Sequence, residues 1–269
     1  MVTGNRLDSK IWSALAIWFG AYGVLLILSR HWPFPGEALF AFSISFVLLS
    51  FCVVISAACA SGVVEHAGRL PPWHALVPLG FIGLGTGVPL PPDWVYPWYG
   101  FSLLWLASVL GARLGSEIQI SSHVWPLILV ACAFDYWSVM APAGLTHAMV
   151  EEPRLVSSIN PLILVFPIPL AGPQPILGVG DVVFAGFCMG IVKKLALNAT
   201  RACVGLVAGL LVCLGLLLTM QIPLPALLCI GPAFGLSFGG VFKPRFKDLL
   251  GALVFVAVGL FVLTALRSA

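Results

Sequence analysis

Two aspartates stand where a membrane protein rarely keeps a charge. Asp181 heads the apolar run Asp181–Val192, in Leu177-Gly178-Val179-Gly180-Asp181-Val182-Val183-Phe184. Asp135 lies within Val124–Met140, in Phe134-Asp135-Tyr136. A carboxylate inside a span costs about 2.5–3.5 kcal/mol even on lenient insertion scales, so a chain keeps one that has a task or a partner. Asp8 and Asp93 fall in polar or turn-like stretches, Asp248 starts a span, and no Glu is embedded deeply. Two such groups suggest one shared site. Carboxylates within hydrogen-bond reach hold one proton between them and titrate in two coupled steps. One can take a proton from water while the other donates to a carbonyl oxygen, a division of labour suited to hydrolysing an amide. That chemistry needs no metal, no nucleophilic side chain and no cofactor.

The elements that must position this pair are membrane helices. The chain has 269 residues, is 60% hydrophobic and only 9% charged, and has a mean hydropathy of +1.08. This is the composition of an all-α, multi-pass membrane protein forming a single transmembrane domain over 1–269. It divides into N-terminal helices (1–121), the motif-bearing helices (122–247) and an extra C-terminal helix (248–269). A net charge of +3 without a basic tail or basic-aromatic patch gives no reason to expect nucleic acid. The seven cysteines all lie in apolar runs without a Cys-x-x-Cys pair and read as packing residues. His-Glu-x-x-His is absent, which argues against a zinc protease. The first apolar stretch, Ile11 to Ser29, reads as a retained helix and not a cleaved signal. Short termini suggest a self-contained enzyme.

About nine spans are expected, at 11–29, 37–60, 74–90, 94–112, 122–140, 177–194, 201–219, 222–240 and 248–266. The third is the least span-like, with four glycines and two prolines. One side of these spans carries Arg6, Lys10, Arg69, Arg113, Lys193, Lys194, Arg201, Lys243, Arg245 and Lys247, and the other only Arg30, Arg154 and Arg267. The positive-inside rule then puts the N-terminus in the cytoplasm and the C-terminus outside. Asn198-Ala199-Thr200 fits a glycosylation pattern but falls on the inner side. Asp135 comes in the outer third of span five and Asp181 in about the first turn of span six, so both lie at similar depth on adjacent helices.

The connection 141–176 faces outward and is made acidic by Glu151 and Glu152. Within it, Asn160-Pro161-Leu162-Ile163-Leu164-Val165-Phe166-Pro167 is too short to span and has the branched and aromatic content of a strand. It reads either as a loop packed on the bundle or as an edge to which an unwound substrate pairs. Gly178 and Gly180 offer positive φ and close backbone approach. Pro223 and Pro225 open span eight, and Gly231-Pro232 is expected to break it. Gly235-Leu236-Ser237-Phe238-Gly239 matches the serine-nucleophile pattern by letter but lacks a strand-turn-helix context and a partner histidine.

These residues resemble the presenilin and signal peptide peptidase family of intramembrane aspartyl proteases. That family carries a Tyr-Asp, then a Gly-x-Gly-Asp, then a Pro-Ala-Leu on ordered helices. The matching residues here are Phe134-Asp135, Gly178-Val179-Gly180-Asp181 and Pro225-Ala226-Leu227. Gly178 to Val183, Pro225 to Leu228 and Leu164-Val165-Phe166-Pro167 are similar to the signal peptide peptidase branch in particular. The likeness runs from Val124 to roughly Lys247. It implies that Asp135 and Asp181 are the catalytic pair. Phe134, Gly178, Gly180, Pro225, Ala226 and Leu227 would support or line the site. The substrates implied are transmembrane peptides such as signal-peptide remnants, cleaved within the bilayer, with no cofactor and with homo-oligomers allowed. The chain departs from the family in having Phe134 for tyrosine, four spans before the first aspartate where the family has five, and a span after the Pro-Ala-Leu helix. Two alternatives come from other readings of the same residues. A prepilin-peptidase-like protease also uses Gly-x-Gly-Asp, but usually with Lys next, where this chain has Val182. A transporter or channel would use the aspartates as a proton or cation site.

Overall fold

Long apolar runs become helices because a helix satisfies its own backbone where water is absent. The computed structural model describes residues 3–30, 37–67, 73–87, 92–141, 163–220 and 224–268. Its α-helices among the described residues are α1 (Thr3–Arg30), α2 (Ala38–Ala67), α3 (Trp73–Gly87), α4 (Pro92–Ser116), α5 (Val124–Met140), α6 (Val179–Lys194), α7 (Ala199–Met220), α8 (Leu227–Ser237) and α9 (Phe246–Ser268). Each falls on one expected stretch, and the fold is that of a mainly helical membrane protein.

Of the nine spans expected, six are supported. Among the described residues six helices, α1, α2, α4, α5, α7 and α9, are long and apolar enough to cross a membrane, α5 together with the 3-10 turn at Ser121–His123 that leads into it. α3, α6 and α8 have 15, 16 and 11 residues, short of the roughly 20 a span needs. The causes are local. The stretch expected to open span six at Leu177 and Gly178 ends a β-strand instead. In span eight the helix starts only after Pro225, and a short 3-10 turn at Gly239–Val241 follows it. Pro232 lies inside α8 without interrupting it, so the expected break falls at the helix start.

The chain forms two compact units, each from two stretches: residues 1–117 with 159–199, and residues 118–158 with 200–269. In the first, α4 and α6 run parallel and pack backbone to backbone. A methyl group on Gly111 would collide with the Val183 carbonyl, and one on Gly115 with the Phe187 carbonyl. From the other side, Gly186 meets Ser108 and Gly190 meets Ala112. Both helices thus present small residues four apart, the pattern that lets membrane helices approach closely.

The strand content seen near Pro167 is realised. β1 (Ile163–Ile168) pairs antiparallel with β2 (Gly172–Gly178), with a bulge after Leu164. Asn160 to Leu162 of the expected segment lie outside the described residues. Phe166 is fully buried, 5.0 Å from the Trp18 ring and 5.8 Å from that of Tyr22. Trp18 in turn donates its indole N–H to the Pro97 carbonyl at 2.8 Å. β1 is therefore anchored on α1 and α4, and β2 leads directly into α6.

In the second unit α5 is the centre. α9 lies parallel to it, held at one end by Ser122 Oγ donating to Asp248 Oδ2 at 2.9 Å and farther along by Phe134 against Gly259. α8 runs antiparallel to α5, with Trp125 against Gly235. α7 crosses α8 closely, where Gly205 faces Ser237 and Gly209 faces Ile230.

Candidate functional site

Asp135 belongs to the second unit and Asp181 to the first. Each half of the expected site has its own construction.

Asp135 sits in the later turns of α5 and is half-buried. Its partner comes from 92 residues downstream. Leu227 is the first residue of α8, so its N–H is one of four that a helix start leaves without an internal acceptor. Ala226, at the capping position, has no side chain to supply one. Asp135 Oδ2 accepts that N–H at 3.0 Å. Three residues earlier on the same face of α5, the Cys132 thiol donates to the Leu227 carbonyl at 3.1 Å. Both backbone groups of Leu227 are therefore held by α5, and the Pro225-Ala226-Leu227 turn is pinned against the carboxylate. The positive end of a helix also favours a carboxylate beside it. Pro225 and Ala226 offer their carbonyls to the first amides within α8, from Leu228 to Ile230.

Phe134 faces elsewhere. Its ring lies edge-on to Phe255 of α9 at 6.1 Å, and its Cζ would stand 2.7 Å from a methyl carbon on Gly259. The position that carries tyrosine in the resembling family is here occupied by packing against the extra C-terminal helix.

Asp181 is the third residue of α6, in its first turn, and is half-buried. Gly178 caps that helix with extended backbone, φ −69° and ψ 142°. The expectation of positive φ at Gly178 and Gly180 is corrected, since neither adopts it. Their value is steric. A methyl on Gly178 would lie 3.3 Å from Asp181 Oδ2, so the carboxylate curls back over the cap where a larger residue would crowd it. Gly180 is exposed, with open space around its α-carbon. Val179, between them, packs on a buried cluster of Val95, Tyr99 and Leu103 from α4. The turn is thus fixed from below and open above.

Each aspartate therefore sits at a helix N-terminus, Asp181 at its own and Asp135 at that of α8. The structure joins Asp135 and Pro225-Ala226-Leu227 into one cluster, places Gly178, Gly180 and Asp181 in another, and turns Phe134 away toward α9. Sequence reasoning missed Cys132, counted among packing cysteines; its spacing of three from Asp135 on a helix was the available signal. Ser237 donates to the Ala233 carbonyl at 2.8 Å within its own helix, in keeping with a chance motif. Among the described residues no three His, Cys, Asp or Glu side chains are grouped to hold a metal ion. Comparison of the chain with known protein families, curated proteins and solved structures finds no match in any of the three.

Proposed function

We propose that the chain is an intramembrane aspartyl protease in which Asp135 and Asp181 form the catalytic pair. The observation that carries this reading is the hydrogen bond from Leu227 N–H to Asp135 Oδ2. Two motifs 90 residues apart in sequence meet at the carboxylate to which the chemistry is assigned. Asp181, held at the mouth of an open glycine turn, supplies the second group.

In the reaction the pair shares one proton. The ionised carboxylate removes a proton from water, whose oxygen adds to the peptide carbonyl carbon. The protonated partner donates to the carbonyl oxygen. Collapse of the tetrahedral adduct breaks the C–N bond, with a proton passing to the leaving amine. A helical substrate must first unwind, since its carbonyls are engaged within the helix.

The hairpin limits where such a strand docks. Pro167 faces Pro173 in the ladder, and neither has an N–H, so this is a pair without mutual hydrogen bonds. By alternation the Val165–Pro175 pair is of the same type. Pro173 and Pro175 then turn carbonyls but no amides to the outer edge of β2. An extended substrate is left with Ile176 to Gly178, next to Asp181, for full pairing.

The substrates are single transmembrane segments such as signal-peptide remnants, with the N-terminus of the enzyme cytoplasmic. The test is cleavage of a reporter signal peptide in liposomes by wild type, Asp135→Asn and Asp181→Asn. Loss of cleavage in both variants is expected. Cleavage that persists at the wild-type rate in either one rules the assignment out, and proton or cation flux without proteolysis would select the transporter reading.

A further inference from the structure

Three helices of the first unit end together. The last turns of α2, α4 and α6 enclose a cavity of about 380 Å3. Its floor is the close crossing of Gly190 and Ala112. Its walls are charged. Glu65 comes from α2, Arg113 and Glu117 from the end of α4, and Lys193 and Lys194 from the end of α6.

The charges are arranged in pairs with one cation left over. Lys193 Nζ is 3.3 Å from Glu65 Oε2, and Arg113 Nη2 is 3.0 Å from Glu117 Oε1. Lys194 is exposed and has no ion pair among the described residues. Three bases against two acids leave a single excess positive charge. Helix C-termini favour nearby cations, so the backbone of α4 and α6 helps to hold the bases there. The Arg113 guanidinium has five N–H donors, and its bond to Glu117 leaves others for a second planar or tetrahedral anion.

Location narrows the ligand. α2 and α4 are both long and apolar enough to cross a membrane, and the cavity lies at their ends, where a spanning helix would reach the headgroups. Basic pockets between membrane helices on the Lys/Arg-rich side are suited to anionic headgroups. We propose that this cavity binds the phosphodiester of an anionic phospholipid. Lys194 supplies the countercharge and Arg113 the directed hydrogen bonds. One negative charge matches the one positive charge in excess. A choline headgroup carries its own cation into a site that already has three. The proposal stands apart from the proteolytic reading, since these groups belong to the opposite end of α6 from Asp181.

The experiment is a binding titration on the full chain in neutral detergent, followed by native mass spectrometry and thermal melting. The probes are short-chain phosphatidylglycerol, short-chain phosphatidylcholine and inorganic phosphate. Phosphatidylglycerol is expected to bind and to raise Tm. Lys194→Gln is expected to weaken that binding about fivefold, the factor for one lysine's attraction to an anionic lipid. Lys194→Arg is expected to keep it. Equal affinity of the wild type for phosphatidylcholine overturns the proposal, and that readout needs no variant. Unchanged phosphatidylglycerol binding in Lys194→Gln also overturns it. Inorganic phosphate that fills the site while phosphatidylglycerol fails to displace it assigns the cavity to a soluble anion and removes the lipid.

Discussion

Asp135 has two duties that substitution can separate. As a hydrogen-bond acceptor it completes the start of α8, and as an acid it would hold or release a proton. Asn keeps an acceptor oxygen at the same reach. Asp135→Asn is therefore expected to melt within about 0.5 kcal/mol of wild type while cleavage falls to background. Asp135→Ala removes the cap as well and is expected to cost about 0.5–2 kcal/mol, the range for losing a capping oxygen. Melting in detergent beside the reporter assay distinguishes the two. Equal destabilisation by both would mean the carboxylate serves α8 in a way an amide cannot. Phe134 makes a second case. Its Cζ is the atom that nearly touches Gly259, and a tyrosine hydroxyl would extend from that carbon into α9. Phe134→Tyr is thus expected to destabilise by roughly 1–3 kcal/mol through overpacking, with no gain in cleavage. A more stable or more active variant would show that the ring has room and that α9 does not dictate it. The aspartates themselves were legible in the sequence because a charge in an apolar run is costly. The cap was not, because its donor lies 92 residues away and Ala226 gives no sign of needing it.

Helix length and helix approach are set by different residues, and the sequence displayed them unequally. Apolar runs marked all nine helices among the described residues. They overstated α6 and α8, since hydropathy does not register where a strand or a proline takes the first residues. Ile163 to Pro167 carried enough branched and aromatic content to be read as a strand. Its partner, Gly172-Pro173-Gln174-Pro175, has the composition of a turn, yet it pairs with β1, which is anchored on α1 and α4. The α4–α6 contact was written as Gly111-x-x-x-Gly115 and Gly186-x-x-x-Gly190, a spacing that was visible but has meaning only once the two helices are known to be neighbours. Because α6 carries Asp181, this contact bears on activity. Gly186→Val would drive its branches into the Ser108 backbone and is expected to cost on the order of 1–3 kcal/mol. Cleavage should fall as well, because the first turn of α6 moves with the rest. By contrast, Gly180→Ala meets open space and is expected to leave the melting point within about 0.5 kcal/mol of wild type. A Gly186→Val protein with wild-type melting would mean the crossing is looser than the backbone approach implies.

At the scale of the molecule, helix direction and function make linked demands. α4 and α6 run parallel in one unit, and in the other α5 and α9 run parallel with α8 opposed. The proposed chemistry asks for more, because a proton shared by two carboxylates needs their oxygens within hydrogen-bond reach in at least one state. On the proposed function Asp135 and Asp181 meet in at least one state, and this can be measured without activity. With native cysteines replaced and Cys132→Ser retaining a donor to Leu227, Asp135→Cys and Asp181→Cys are expected to form a disulfide on mild oxidation in membranes. A disulfide requires α-carbons about 4.4–6.8 Å apart, at the short end of what a hydrogen-bonded carboxylate pair allows, and a bridging reagent with a longer spacer covers the rest. An intermediate outcome, bridging only by a reagent with a longer spacer, would indicate an open resting state that substrate must close. Failure of both in the presence of a substrate transmembrane segment would leave each aspartate as a separate helix-terminal carboxylate, one capping α8 and one beginning α6, with no shared proton and no protease.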